Sequence, residues 1–363
     1  MLRSPNKMNQ LERMAGNVIV CGFGGTEAPP TVLRWLSENA VAGLILFKRN
    51  INGLDQAAEL IASCIAETDS ANPILVCVDQ EGGRVARFGE PVLRLPPMRA
   101  LAAAGDPRLT RDAAMVLGQQ LRSIGINLDF APVLDVDTNP DNPVIGDRAF
   151  GSAPDDVIEH ALAFAEGLHD GGVLSCGKHF PGHGDTDLDS HLALPTLGHD
   201  RARLERVELR PFRAAAGKIP SLMTAHVVFE AVDPKVPATM SAAAIAKLLR
   251  EDVGFDGAVF SDDLEMKAIA ERYSIEEAGV LAIEAGCDLL LVCSDLEAAA
   301  RLRETLASEA ERSESFRARL SEARARADGL RRRVLELPPA VPLQNALDSA
   351  EAQSVRARLQ QLV

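Results

Sequence analysis

No surplus of basic residues, no paired cysteines and no long apolar run occur in this sequence of 363 residues, and each absence removes a class of function. Lysine and arginine number 38 against 52 aspartates and glutamates, a formal net charge of −14. A duplex nucleic acid calls for a basic face, and an anionic membrane surface attracts basic segments, so no nucleic acid and no membrane partner is expected. Cys21, Cys64, Cys77, Cys176, Cys287 and Cys293 mostly sit inside apolar runs and form no C-x-x-C pair. That pattern suits small buried thiols rather than disulfides or a cysteine-ligated zinc. The opening residues, MLRSPNKMNQLERMAGN, hold no apolar segment, and no run approaches the ~18 apolar residues of a membrane span. A soluble, cytoplasmic protein is expected. There is no Walker motif, and the glycines of CGFGGT (21–26) and VDQEGGRVARF (78–88) are wrongly spaced for a dinucleotide site.

Eight apolar, β-like runs alternate with helical patterns. The strands are expected near 17–23, 41–47, 73–79, 126–133, 172–180, 220–227, 257–262 and 287–293. Helical periodicity fills 30–40, 54–68, 107–123, 154–170, 200–217, 241–252 and 275–285, with two further segments at 295–308 and 310–336. Buried, non-alternating runs joined by helices imply parallel strands in βαβ units. Eight units suit a single (β/α)8 TIM barrel with extra C-terminal helices, an open doubly wound sheet being the alternative. The expected division is an extension over 1–15, a catalytic barrel over 16–310 and a C-terminal helical segment over 311–363, packed on the barrel or partly exposed. Within that segment the arginine-rich SEARARADGLRRRV reads as a solvated helix face.

Connections from helix to strand are short, whereas those from strand to helix are long at 80–106, 134–153, 181–199 and 228–240. In a barrel the long loops share the C-terminal rim, where active sites sit. The unusual polar residues fall on that rim: Asp79 ending the third strand, Arg148 in the loop after the fourth, Lys178 and His179 ending the fifth, His226 the sixth and Asp262 the seventh.

The densest cluster is LSCGKHFPGHGDTDLDSH (174–191). Asp185, Asp187 and Asp189 open like a calcium loop, but Ser190 stands where glycine is needed and Thr196 where a glutamate should bind. A zinc or iron site from His179, His183 and His191 is the remaining metal reading. Without metal, Asp189 and His191 form a dyad in which the carboxylate orients the imidazole and raises its basicity for general acid/base work. The loop carrying them contains glycine and is expected to be mobile.

In GFDGAVFSDDLEM (254–266) a strand runs into Ser261, Asp262 and Asp263. Strand neighbours point to opposite faces, so one of the two carboxylates is expected to face the pocket. Helix capping from Leu264 onward is the competing reading. In VDQEGGRVARF, Asp79, two glycines, Arg84 and Arg87 suit a polar ligand, with a surface ion pair as the alternative for Arg87.

Taken together, VDQEGGRVARF, INLDFAPVLDV with VIGDRAFG, KHFPGHGDTDLDSH and FSDDLEM resemble glycoside hydrolase family 3, and within it the single-domain β-N-acetylglucosaminidases of peptidoglycan recycling. The resemblance spans roughly residues 16 to 310. It implies a β-N-acetylhexosaminidase that removes terminal β-1,4-linked N-acetylglucosamine by retaining double displacement, without metal or cofactor. By position, Asp262 matches the nucleophile, His191 the acid/base and Asp189 its partner. Asp79, Arg87, Arg148, Lys178 and His179 match positions that grip the sugar, and His226 is added to them as a sixth substrate-binding candidate. The implied partner is a small saccharide or muropeptide, and the chain is expected to act as a monomer or weak homo-oligomer. Larger members add a second, sandwich-like domain, for which this chain is too short. The competing functions are a phosphorylase or another β-glycosidase on the same barrel, a metal-dependent hydrolase using the histidines, and a non-catalytic sugar binder.

Overall fold

A computed structural model describes residues 8–190 and 193–362. The strands are β1 (Ile19–Cys21), β2 (Gly43–Leu46), β3 (Leu75–Val78), β4 (Leu128–Asp129), β5 (Leu174–Phe180), β6 (Ser221–Thr224), β7 (Ala258–Asp263) and β8 (Leu289–Val292). Each pairs in parallel with its sequence neighbours, and β1 closes on β8 through Ile19 opposite Leu290 and Cys21 opposite Val292. That pairing makes the fold a closed (β/α)8 barrel and excludes the open sheet. A two-residue parallel ladder, Thr196–Leu197 with Val228–Phe229, ties together the loops that follow β5 and β6.

Apolar runs become strands here because both faces are covered. Inward residues such as Val20, Leu75, Phe130, Cys176 and Phe260 fill the barrel, while their neighbours pack against the helical ring. The helices start and stop where their ends can be satisfied. Asp106 caps Pro107–Ile124, and Gly125 ends it in the left-handed conformation at φ 104°. Ser274 and Glu277 form a capping box on Ile275–Ala285. Expected helices differ in detail. The segment 200–217 breaks into Arg201–Arg206 and Leu209–Ala215, and 241–252 winds wider, with i→i+5 bonding over Ala243–Val253. A short helix, Met98–Ala103, sits inside the long loop after β3.

The arginine-rich helix, Glu314–Arg333, is not a solvated face alone. Ala327 and Leu330 join the cluster that fills the barrel, so this helix covers its N-terminal mouth. Arg331, 3% exposed, donates to the carbonyls of Asn72 and Pro73 and to the side-chain oxygens of Asn17 and Asn39. Arg319 and Arg250 both bond the buried carboxylate of Asp288. Among the described residues no helix is long and apolar enough to cross a membrane.

Candidate active site

The C-terminal ends of the strands surround a pocket of about 350 Å³. Ile45, Phe130, Met223 and Leu291 line it from the barrel interior, and the Phe130 ring meets Phe260 edge-on at 5.2 Å. Of the residues singled out from the sequence, Asp79, Arg87, Arg148, Lys178, His179 and Asp262 all line this one pocket. A wider groove of about 820 Å³ lies between residues 83–97 and 356–360, but no barrel strand contributes to it. The smaller pocket is therefore the candidate site.

Its charged wall is one connected network. Lys178 Nζ lies 2.8 Å from Asp79 Oδ1 and 2.6 Å from Glu81 Oε1. Asp79 Oδ2 accepts from Arg87 Nη2 at 2.9 Å, so Arg87 is ion-paired inside the pocket rather than on the surface. Arg148 grips Glu81 with two bonds of 2.8 Å. Burial disfavours each charge, but the partners outweigh it. Asp79 and Glu81 are held below their ordinary pKa by the cations, and Lys178 and Arg148 are held above theirs by the carboxylates. Glu81, passed over in the sequence, is the anion that makes three cations tolerable in one small space. Beneath it, Asp129 is fully buried with Oδ1 bound by the Gln80 amide. Burial raises its pKa to about 8, so it is a neutral acid at pH 7.

Two breaks in strand register deliver adjacent side chains to the same pocket. Along β5 the pairing slips between Gly177 and Phe180, and both Lys178 and His179 face inward. Along β7 it slips opposite Leu289 and Leu291, and both Asp262 and Asp263 reach the pocket. The expectation that only one of that pair would do so is corrected: an extra residue in a strand resets the alternation. Asp262 Oδ1 accepts the Asp263 amide at 2.8 Å. The next helix begins only at Lys267 with Met266 as its cap, so helix capping does not account for Asp262. Asp263 accepts the amides of Glu265 and Cys293, and burial lifts its pKa to about 7.

His179 Nδ1 bonds Asp135 Oδ2 at 2.7 Å, and a carboxylate that only accepts fixes that nitrogen as the donor. Asp135, also unforeseen, stays below its ordinary pKa in spite of burial because His179 stands beside it. His226 is corrected as a pocket residue. It is fully buried outside the lining, with Nδ1 on Thr239 Oγ1 and Nε2 on the carbonyl of Asp263, where it braces the Asp262–Asp263 strand end.

The described part of the loop after β5 is stitched down rather than loose. Thr138 Oγ1 donates to Asp185 Oδ1 at 2.6 Å, and His199 Nε2 bonds the other oxygen. Gly184 lies so close to Val136 that an added Cβ would sit 1.9 Å from its carbonyl oxygen. His183 bonds Thr186 Oγ1 through Nδ1 and Ser190 Oγ through Nε2. Among the described residues no group of three histidine, cysteine or acidic side chains is arranged to hold a metal ion. Asp189 ends this part of the loop, while His191 lies outside the described residues.

Three comparisons bear on the site. A family model described as the glycosyl hydrolase family 3 N terminal domain matches residues 5–327. A "Beta-hexosaminidase" of Idiomarina loihiensis is 39% identical over 281 residues, 76% of this chain and 84% of its own. Among solved structures, a glycoside hydrolase family 3 β-N-acetylglucosaminidase from Paenibacillus superposes with a TM-score of 0.90 at 40% identity, covering 98% of this chain and 69% of that one. NagZ from Neisseria gonorrhoeae, solved with N-trifluoroacetyl-D-glucosamine, gives a TM-score of 0.79 at 32% identity over 96% of this chain and 98% of its own.

Proposed function

This chain belongs to glycoside hydrolase family 3, and from that premise we propose that it is a retaining, exo-acting β-N-acetylhexosaminidase that removes terminal β-1,4-linked N-acetylglucosamine from muropeptide-type saccharides. The observation that carries this reading is a carboxylate, Asp262, at a strand end in a pocket of about 350 Å³ walled by Asp79, Arg87, Arg148, Lys178 and His179. A pocket of that size suits one sugar ring, and its fixed donors and acceptors suit hydroxyl and acetamido groups.

In this reading the Asp262 carboxylate attacks the anomeric carbon as the glycosidic C–O bond breaks, and His191 gives its proton to the leaving oxygen. Water then attacks the anomeric carbon, His191 takes a proton from it, and the bond to Asp262 breaks. Asp189 holds the imidazole in the tautomer that both steps need. The Asp263 amide on Asp262 Oδ1 fixes the plane of the nucleophile. The network of Asp79, Glu81, Arg148 and Lys178 is already paired before substrate arrives, so little reorganisation accompanies binding.

Asp262→Ala tests the assignment. It should abolish release from an aryl N-acetyl-β-glucosaminide while leaving the melting temperature near that of the wild type, and undiminished release would sink the reading. Substrates differing at the 2-position test specificity, since equal turnover of a 2-hydroxyl and a 2-acetamido sugar would contradict it. Product analysis with and without phosphate separates hydrolysis from phosphorolysis, as free sugar against sugar 1-phosphate.

A further inference from the structure

His183 has no part in the chemistry above, yet it is the centre of the loop that carries the proton-transfer pair. Its side chain is 1% exposed, with Nδ1 2.8 Å from Thr186 Oγ1 and Nε2 2.9 Å from Ser190 Oγ. Burial, with His179 alongside, lowers the pKa of the ring to about 4, so the imidazole is neutral and one nitrogen donates while the other accepts. With the Thr186 hydroxyl donating to the His183 carbonyl at 3.1 Å, Nδ1 is the donor to Thr186 Oγ1 and Nε2 accepts from the Ser190 hydroxyl.

The remaining bonds lock this imidazole to the site. The His183 amide donates to Asp135 Oδ1 at 2.7 Å, the same carboxylate that orients His179. The His183 carbonyl also accepts from Asn142 Nδ2 at 2.9 Å, in the loop after β4. Ser190 is gripped on its other side as well, its carbonyl accepting the Ala268 amide at 3.4 Å. Ser190 stands between Asp189 and His191 in sequence, so whatever fixes it anchors the backbone next to both.

We propose that His183 is a positioning residue, a neutral imidazole clamp on Ser190 that sets the approach of the Asp189–His191 arm to the leaving oxygen. The proposal rests on the glycosidase reading above, in which that arm supplies the proton. It separates two roles within one motif: His183 stands in the pocket wall and holds, through Ser190, the segment that carries the proton-transfer pair.

The test uses leaving groups that differ in their need for a proton. A disaccharide expels a poor alkoxide and depends on the acid, whereas a 2,4-dinitrophenyl glycoside leaves nearly unaided. General acid catalysis contributes ~100- to 10,000-fold, so a misplaced arm in Ser190→Ala should lower kcat/KM on the disaccharide by at least ~10-fold. On the dinitrophenyl substrate the same variant should change by less than about 2-fold, because the step read by kcat/KM there needs little acid. His183→Asn keeps a donor toward Thr186 but cannot reach Ser190, and should show the same split. The double variant should lose no more than either single one, since both remove one interaction. Equal losses on both substrates, or no loss on the disaccharide, overturn the clamp. A wild-type enzyme inactive on both substrates overturns the glycosidase reading and the clamp together, an outcome distinct from an active wild type with unaffected variants. Melting temperatures of all four proteins separate misplacement from unfolding.

Discussion

Glu81→Gln removes one negative charge from the wall of the pocket and almost no volume. In the native site Glu81 is 1% exposed and accepts three charge-assisted bonds, two from Arg148 at 2.8 Å and one from Lys178 at 2.6 Å. The amide keeps one acceptor oxygen but turns an NH2 toward a guanidinium or an ammonium. Lys178 and Arg148, with side chains 3% and 9% exposed, are then left with Asp79 as the neighbouring anion of the network. Breaking a buried pair from one side typically destabilises by ~3–5 kcal/mol, because the surviving charge stays desolvated. Against a typical stability of ~5–15 kcal/mol that is a large fraction, and the melting temperature should fall by roughly 5–10 °C. Loss of orientation in Arg148 and Lys178 should also lower kcat/KM by about 100-fold, the scale expected for a misplacement near 1 Å. A control sets the comparison. Glu276 pairs with Arg301 at 2.7 Å, but the two side chains are 24% and 53% exposed, so Glu276→Gln should cost less than about 1 kcal/mol. Scanning calorimetry of the three proteins, with kinetics on an aryl glycoside, decides the matter. If Glu81→Gln melts within about 2 °C of the wild type, or no lower than Glu276→Gln, the view of Glu81 as the anion that holds the site together is refuted.

Two further outcomes follow from the same geometry. Asp129 is protonated when folded up to about pH 8 but ionises near its ordinary value of 3.8 when unfolded, so unfolding releases a proton across that window and rising pH favours the unfolded chain. Asp129→Asn keeps the acceptor for the Gln80 amide, and its stability advantage should grow from pH 5 to pH 8, by at most ~1.4 kcal/mol per pH unit, then level off; parallel stability curves for the two proteins would contradict this. Gly184→Ala forces a methyl group against the Val136 carbonyl, and should lose about 2–3 kcal/mol in urea titration together with activity; a variant of native stability would show that the loop base yields.

Much of this molecule was legible in the sequence because parallel barrel strands are covered on both faces and read as continuous apolar runs. Asp79, Arg148, Lys178, His179 and Asp262 were read to one rim from their places at strand ends or in the long loop after one, and Arg87 from the polar motif that follows the third strand; all six line the pocket. What escaped detection has physical reasons. Strand alternation says nothing of a register slip, so the arrival of Asp263 beside Asp262 was hidden. Glu81 and Asp135 sit in plain view, and one signal pointed to them: three cations facing Asp79 alone need another carboxylate nearby. His226 occupied a strand end like the others, but burial turned it to bracing the backbone instead. In Glu314–Arg333 the arginines masked a seam of Phe316, Leu320, Ala323, Ala327 and Leu330, spaced four and three apart, because alanines carry little hydropathy. The proton-transfer roles proposed for Asp189 and His191 rest on the motif alone.

Arg331 also imposes an order on the birth of the fold. Its guanidinium bonds residues that lie 258 to 314 positions earlier in the chain, at the foot of the first three strands. During synthesis those strands emerge long before this group exists, and the carbonyls of Asn72 and Pro73 must be served by water until it does. Ribosomes add ~5–20 residues per second, so the barrel's foot stays unsealed for tens of seconds after its first strand appears. The last long helix is thus the final cover, and a nascent chain cut before it should present a barrel with an uncovered foot for chaperones to hold.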